Sequence, residues 1–378
     1  MNRASGERSG DCGSERRVSA AELQGVMDRI RSGVEEDKVQ AAIDIRRLTK
    51  TSSRNRRHLS HAVEPLVAML RSESSEACEA AILALLNLAV KDERNKISIV
   101  EAGALGPLIS FLEAKNSDLQ GYATAALFTL SASSTNKPKI SASGAIPFLV
   151  KVLTEGSSQA KIDAIATLYN LCTNQDNLKT ILSFHPIPSL ISFLKKCKKS
   201  SKTAEKCCAF LESLIGLDEG RLALTAEEGG VLTVVEILEE GSLQSKEHVV
   251  GALLTMCESD RSRYREVILK EGAIPGLLEL TVQGSAEAQA KARRLLELLR
   301  DSPYRRSELQ ADTLEIIVSS IVSKINGDEQ AEKAKKMLAE MVQISMEQSL
   351  RHLQRRALIC TPTTELPLGN RPSKLSFK

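Results

Sequence analysis

Seven residues recur through this chain at nearly equal spacing, and two of them carry a side chain well suited to holding another polypeptide. Arg47, Asn87, Thr129, Asn170, Ser213, Thr255 and Glu297 each stand just before the last leucine-like position of an apolar segment. The steps between them are 40, 42, 41, 43, 42 and 42 residues, a regularity that chance does not produce. An asparagine amide is both donor and acceptor. On an exposed helix face, Asn87 or Asn170 can therefore bracket a ligand's backbone amide and hold it extended without reading its sequence.

Other reactive groupings are sparse. His58 and His61 lie three apart and can share a helical face, but no Cys, Asp or Glu cluster completes a metal site around them. Adjacent Cys207 and Cys208 sit in an apolar helical pattern and read as packing groups. No phosphate-cradling GxxxxGK[ST], GxGxxG after a strand, HExxH or GxSxG occurs. No metal, cofactor or enzymatic activity is therefore expected. Arg16-Arg17-Val18-Ser19 fits a basic-directed kinase site in a flexible arm, where a phosphate would leave the folded body untouched. The run KKCKKSSK (195–202) reads as a solvated loop, with a localisation signal or an anionic contact as the alternative.

The elements that must position these residues are helices. Long apolar segments carry the spaced positions: AAILALLNLA (80–89), TAALFTLSA (124–132), AIATLYNLC (164–172), CCAFLESLI (207–215), VVGALLTMC (249–257) and KARRLLELL (291–299). Before each stands a second segment that opens on a turn, most plainly Gly103-Ala104-Leu105-Gly106-Pro107, Gly144-Ala145-Ile146-Pro147 and Gly272-Ala273-Ile274-Pro275, with Gly230-Val231-Leu232 and Pro186-Ile187-Pro188 as variants. Gly ends one helix in a left-handed conformation, and Pro suits the first turn of the next. A third, shorter segment completes each unit, such as RNKISIVEAG (94–103) or YREVILKEG (264–272). Small residues (Ala81, Ala84, Ala125, Ala126, Ala164, Ala166) allow close helix approach. Three helices per unit of about 40 residues is the armadillo plan.

Composition agrees. Apolar residues make up 42% of 378, enough for a continuous core, while aromatics are 3% and Trp is absent. Lys and Arg number 51 against 48 Asp and Glu, too even a balance for general nucleic-acid binding. No apolar run is long enough for a membrane span, so neither nucleic acid nor membrane is an expected partner. Eight scattered cysteines (Cys12, Cys78, Cys172, Cys197, Cys207, Cys208, Cys257, Cys360) without a CxxC pair read as reduced thiols of a cytoplasmic or nuclear protein.

The pattern AAIDIRRLTK (41–50), Asn55-Arg56-Arg57 and GAIPFLVKVL (144–153), with NK or NR after long helices, resembles the armadillo-repeat region of plant U-box proteins and their U-box-less relatives over about residues 25–300. The resemblance implies an all-α, right-handed armadillo-type solenoid, a superhelix of three-helix repeats. It implies that the long third helices line a concave groove with the seven spaced residues as its ladder. Six or seven such helices at about 8–10 Å make a track of roughly 50–60 Å, room for about 15–18 extended residues. Nuclear-import adaptors of the armadillo class carry a row of Trp one turn earlier; here that row reads Leu83, Ala125, Ala166, Ala209, Gly251 and Arg293, so no such cation–π cage for basic peptides is expected. Arg47 at one end and Glu297 at the other point to ligands of mixed charge.

The expected organisation is a disordered arm over 1–20, a solenoid of about six to seven repeats over 21–300, capping helices over 301–358 and a disordered tail over 359–378. Within 313–345 an apolar stripe reads as a final degenerate repeat; the basic SLRHLQRRA (349–357) beyond it is the alternative, a docking helix. With about twenty residues ahead of the first helix, a U-box of roughly 70 residues is not expected there. The expected function is a non-enzymatic scaffold that binds partner proteins or extended peptides in the groove, in signalling or ubiquitin-linked regulation. The alternative is the substrate-recognition component of a ubiquitin ligase.

Overall fold

A computed structural model describes residues 19–300, together with Gln343. The expected capping helices and C-terminal tail, and the N-terminal arm up to residue 18, lie outside the described residues. Ser19 lies inside them: its hydroxyl accepts the Glu22 N–H at 3.1 Å and caps the first helix.

Among the described residues the fold is all-α, an armadillo-type solenoid. Two helices open it, α1 (Ala20–Ile30) and α2 (Glu35–Thr49). The triplets α3 (Ser53–His58), α4 (Val63–Met69), α5 (Ser75–Ala89) and α6 (Glu93–Glu101), α7 (Leu105–Leu112), α8 (Ser117–Ser131) follow. Next come α9 (Lys137–Ala142), α10 (Ala145–Glu155), α11 (Ser158–Leu171) and α12 (Gln175–Ser183), α13 (Pro186–Lys196), α14 (Lys202–Ile215). The series closes with α15 (Asp218–Ala226), α16 (Gly230–Glu240), α17 (Leu243–Ser259) and α18 (Arg261–Lys270), α19 (Ile274–Gln283), α20 (Ala286–Leu299).

The chain divides into two compact units, one through Ala252 and one from Leu253, with the division inside α17. In the first unit the long helices α2, α5, α8, α11 and α14 pack consecutively on one another. Fully buried alanines (Ala81, Ala84, Ala126, Ala164) permit that approach, and Leu85, Leu88, Leu127, Leu130 and Leu168 fill the space between neighbours. Ala125 does not join that core; it is half-exposed, on the opposite side of α8. The opening is covered by α1, whose Val26, Met27 and Ile30 are buried and whose Arg29 pairs with Asp44 of α2 at 2.7 Å. In the second unit α19 packs against α20, and Arg265 of α18 donates to the Leu299 carbonyl at the end of α20.

Local sequence sets the helix boundaries. Ser74, Asn116, Ser157, Ser201 and Ser285 each cap a long helix by accepting a first-turn N–H. From the second triplet on, the turn into the second helix holds a left-handed residue, for example Gly144 at φ 78° and Gly229 at φ 65°. Gly229, rather than Gly230, takes that role, and Gly230 is already helical. In the fourth triplet His185 holds the same position at φ 51°, followed by Pro186 at the helix start.

Candidate functional site

In the first unit, five of the seven spaced residues share one exposed wall formed by the long helices. Arg47 is exposed; Asn87, Thr129, Asn170 and Ser213 are half-buried. Thr255 and Glu297 belong to the second unit, where Glu297 pairs with Arg294 at 3.2 Å. Arg47 reaches Asp44 at 3.2 Å and Glu22 at 3.6 Å, so it opens the wall already ion-paired.

The two asparagines are each partly engaged. Asn87 Nδ2 donates to the Arg46 carbonyl on the preceding long helix at 2.7 Å, and Asn170 Nδ2 donates to Ser131 Oγ at 3.0 Å. Those bonds tie one repeat to the one before it and fix the amide planes. Each nitrogen keeps a second N–H, and each Oδ1 keeps its acceptor capacity. Thr129 and Ser213 instead turn their hydroxyls back onto the carbonyls of Ala125 and Ala209.

Residues that the spacing did not single out dominate the wall's surface. Immediately before Asn87, Thr129 and Asn170 stand Leu86, Phe128 and Tyr169, half-exposed or more, with Tyr169 at 40%. A turn or two earlier lie Ile43, which is exposed, and Leu83, Tyr122 and Ile162, which are half-buried. In sequence the signal is a large residue immediately before each spaced position, a different offset from the Trp row one turn away. Lys206 of α14 places its Nζ 4.9 Å from the Phe128 ring centroid, within cation–π range.

The titratable groups here are mostly satisfied. The Glu79 carboxylate beside Tyr122 pushes that phenol above its ordinary pKa. Burial pushes the Asp163 carboxyl up, opposed by hydrogen bonds from Gln159 at 3.2 and 3.3 Å and by the charge of Lys206. Glu212 meets His248 Nδ1 at 2.7 Å, and Glu205 accepts from Lys202 and Ser242. Among the described residues no group of three or more His, Cys, Asp or Glu is placed to hold a metal ion. No described helix is long and apolar enough to cross a membrane.

Away from the wall, the NR and NK sequences have a structural cause. Asn55 Nδ2 donates to the Leu48 carbonyl, and Asn95 to those of Leu88 and Arg56. Asn136 does the same with Leu130 and Lys96, and Asn177 with Leu171 and Ser141 Oγ. Each of these four first helices is thereby fastened to the end of the long helix before it, and from α6 to α12 to the first helix of the previous repeat as well. The KKCKKSSK run, expected as a solvated loop, instead ends α13 at Lys196 and opens α14 at Lys202; Lys195 donates to the Glu228 carbonyl at 2.7 Å and Lys199 pairs with Glu236 at 2.8 Å, so two of its lysines brace the next repeat.

Stacked triplets, a fastened first-helix edge and an uncovered long-helix wall define an armadillo-repeat solenoid, a fold whose extended surface serves protein and peptide binding. The sequence profile of the plant U-box protein ARM repeat region matches residues 22–315, and the chain belongs to that family. It is 36% identical over 278 residues to U-box domain-containing protein 1 of Medicago truncatula, covering 72% of this chain and 40% of that protein. U-box domain-containing protein 45 of Arabidopsis thaliana is 31% identical over 101 residues, 27% of this chain and 13% of its own length. The chain thus spans less than half the length of these relatives. An engineered protein solved by a structural genomics consortium superposes with a TM-score of 0.66 at 20% identity, covering 90% of this chain and 85% of its own. A designed armadillo repeat protein in complex with the peptide (KR)4 gives 0.47 at 18% identity, covering 74% and 100%.

Proposed function

We propose that this chain is a non-enzymatic docking scaffold whose long-helix wall in the first unit receives extended segments of partner proteins. The observation that carries this reading is the strip of uncovered apolar and amide side chains along α5, α8 and α11. Beyond their first turns these helices bury most of their other side chains, yet leave Leu83, Leu86, Asn87, Phe128, Tyr169 and Asn170 accessible. An apolar strip flanked by fixed amides suits an extended backbone: the amides hold the main chain and the strip takes its side chains. The relatives' names support a finer reading, in which the segment bound belongs to a protein handled by the ubiquitin pathway and this chain acts in substrate recognition. Free thiols at Cys78, Cys172, Cys207, Cys208 and Cys257, all packed as apolar groups, support a reducing compartment, cytoplasm or nucleus.

The test is affinity purification with the wild-type chain and with Asn87→Ala/Asn170→Ala. Partners recovered by the wild type are expected to be lost or weakened with the double variant, whose far-UV circular dichroism keeps the wild-type helical signal. Undiminished recovery would place the docking surface elsewhere.

A further inference from the structure

The wall changes character along its length, and that change specifies a ligand chemistry. On α5, α8 and α11 the wall carries the half-buried Leu83, Leu86, Phe128 and Ile162 and the exposed Tyr169, beside Glu79, while α2 adds Ile43 next to the exposed Arg46 and Arg47. At α14 the surface becomes charged, with Lys202, Glu205, Lys206 and Glu212. The acids there are already partnered, Glu205 by Lys202 and Ser242 and Glu212 by His248. Lys206 is different. Its ammonium has no ion pair within 4 Å among the described residues and lies over the Phe128 ring, with the Asp163 charge near enough to be felt.

We propose that the wall across α8, α11 and α14 selects an extended protein segment in which a bulky apolar side chain stands within about three residues of an aspartate or glutamate. The apolar group packs against Tyr169, and the carboxylate meets Lys206 where it lies over the Phe128 ring. This rests on the docking reading above and adds the chemistry of the occupant.

Three features favour an acidic ligand over a basic one. The Phe128 face that would receive a ligand's ammonium is already taken by Lys206, so an arriving cation meets like charge where it would need a π face. The nearest carboxyl, Asp163, is a weak competitor for Lys206: it is 8% exposed, hydrogen-bonded by Gln159, and burial favours its neutral form. Tyr169 is 40% exposed, with its ring uncovered beside Asn170, so an apolar side chain gains a surface just where the amide can hold its backbone. The spacing follows from geometry, because neighbouring long helices at about 8–10 Å are two to three extended residues apart.

The experiment is selection of phage-displayed random twelve-residue peptides on the full chain, followed by fluorescence anisotropy of the enriched peptides. Enrichment of Phe, Tyr, Leu, Ile or Met within three residues of Asp or Glu is expected. Affinity should fall at least tenfold with Lys206→Glu and with Tyr169→Ala, and a peptide whose acid is exchanged for lysine should regain binding to Lys206→Glu. Enriched peptides that are basic, or lack an acid, overturn this chemistry. So do acidic peptides whose affinity ignores Lys206→Glu; if they still require Asn87 and Asn170, the docking wall itself stands. No enrichment, or binding that survives Asn87→Ala/Asn170→Ala, removes the wall as the site and this proposal with it.

Discussion

Asn95 offers a direct measurement of what the fastened first helices contribute. The residue is 2% exposed, and its Nδ2 donates to the Leu88 carbonyl at 3.0 Å and to the Arg56 carbonyl at 3.2 Å, the latter 39 residues earlier. Asn95→Ala removes both bonds and leaves two carbonyls in a place that water does not reach. At about 1–3 kcal/mol for each of the two buried groups left unsatisfied, the expected loss is roughly 2–6 kcal/mol. Asn87→Ala is the matched control: it too loses an amide bond to a carbonyl of the preceding repeat, at 2.7 Å, but on a wetted wall where water can replace it. Its expected cost is about 0.5–1.5 kcal/mol. Asn95→Asp preserves shape while replacing the donor by a carboxylate, so it should do at least as much damage as alanine. Urea unfolding followed by circular dichroism reads the ordering of the three variants. Because repeat arrays depart from two-state behaviour, amide hydrogen exchange in α5 and α6 should accompany it, with protection lost first at that junction. Equal midpoint shifts for Asn95→Ala and Asn87→Ala, or a harmless Asn95→Asp, would refute the reasoning that burial of the donor sets the cost.

Other outcomes follow from the same structure. Burial raises the Asp163 carboxyl, so the folded chain holds that proton more tightly than the unfolded one. The group's contribution is most favourable at low pH and declines as pH rises through the folded pKa, so Asp163→Asn should gain melting temperature relative to wild type between about pH 4 and pH 7. A constant difference across that range in differential scanning fluorimetry contradicts this. Burial pushes the Cys172 and Cys208 thiols up to about 12 and Cys257 to about 11, with Cys207 raised further. At pH 8, mass-spectrometric mapping of iodoacetamide labelling should find these four silent in the native protein, while half-buried Cys197 reacts before them; early labelling at Cys207 would show that its helix opens. His185 is exposed and held at φ 51° where other repeats place glycine, so His185→Gly should stabilise by about 1 kcal/mol, read as a raised urea midpoint.

Much of the solenoid was legible in one dimension. A spacing of 40 to 43 residues, glycine before and proline within the second helices, and alanine-rich long helices each have a local cause, so the triplet plan could be read without coordinates. The helix face that carries Arg47, Asn87, Thr129, Asn170 and Ser213 could be located for the same reason, since a fixed offset from a buried leucine fixes a face. Sequence did not show which groups on that face remain available. That Asn87 and Asn170 each spend a donor on the preceding repeat, that Lys206 reaches back over Phe128, and that Asn95 spans two helices are all contacts between residues tens of positions apart. The residue pattern repeats, but its side chains meet partners in other repeats, where identity varies from unit to unit. Helical period and capping are set by neighbours within a turn and so belong to the sequence. The polarity and free valences of the wall are set by how each repeat packs on the next, and only the tertiary structure decides them.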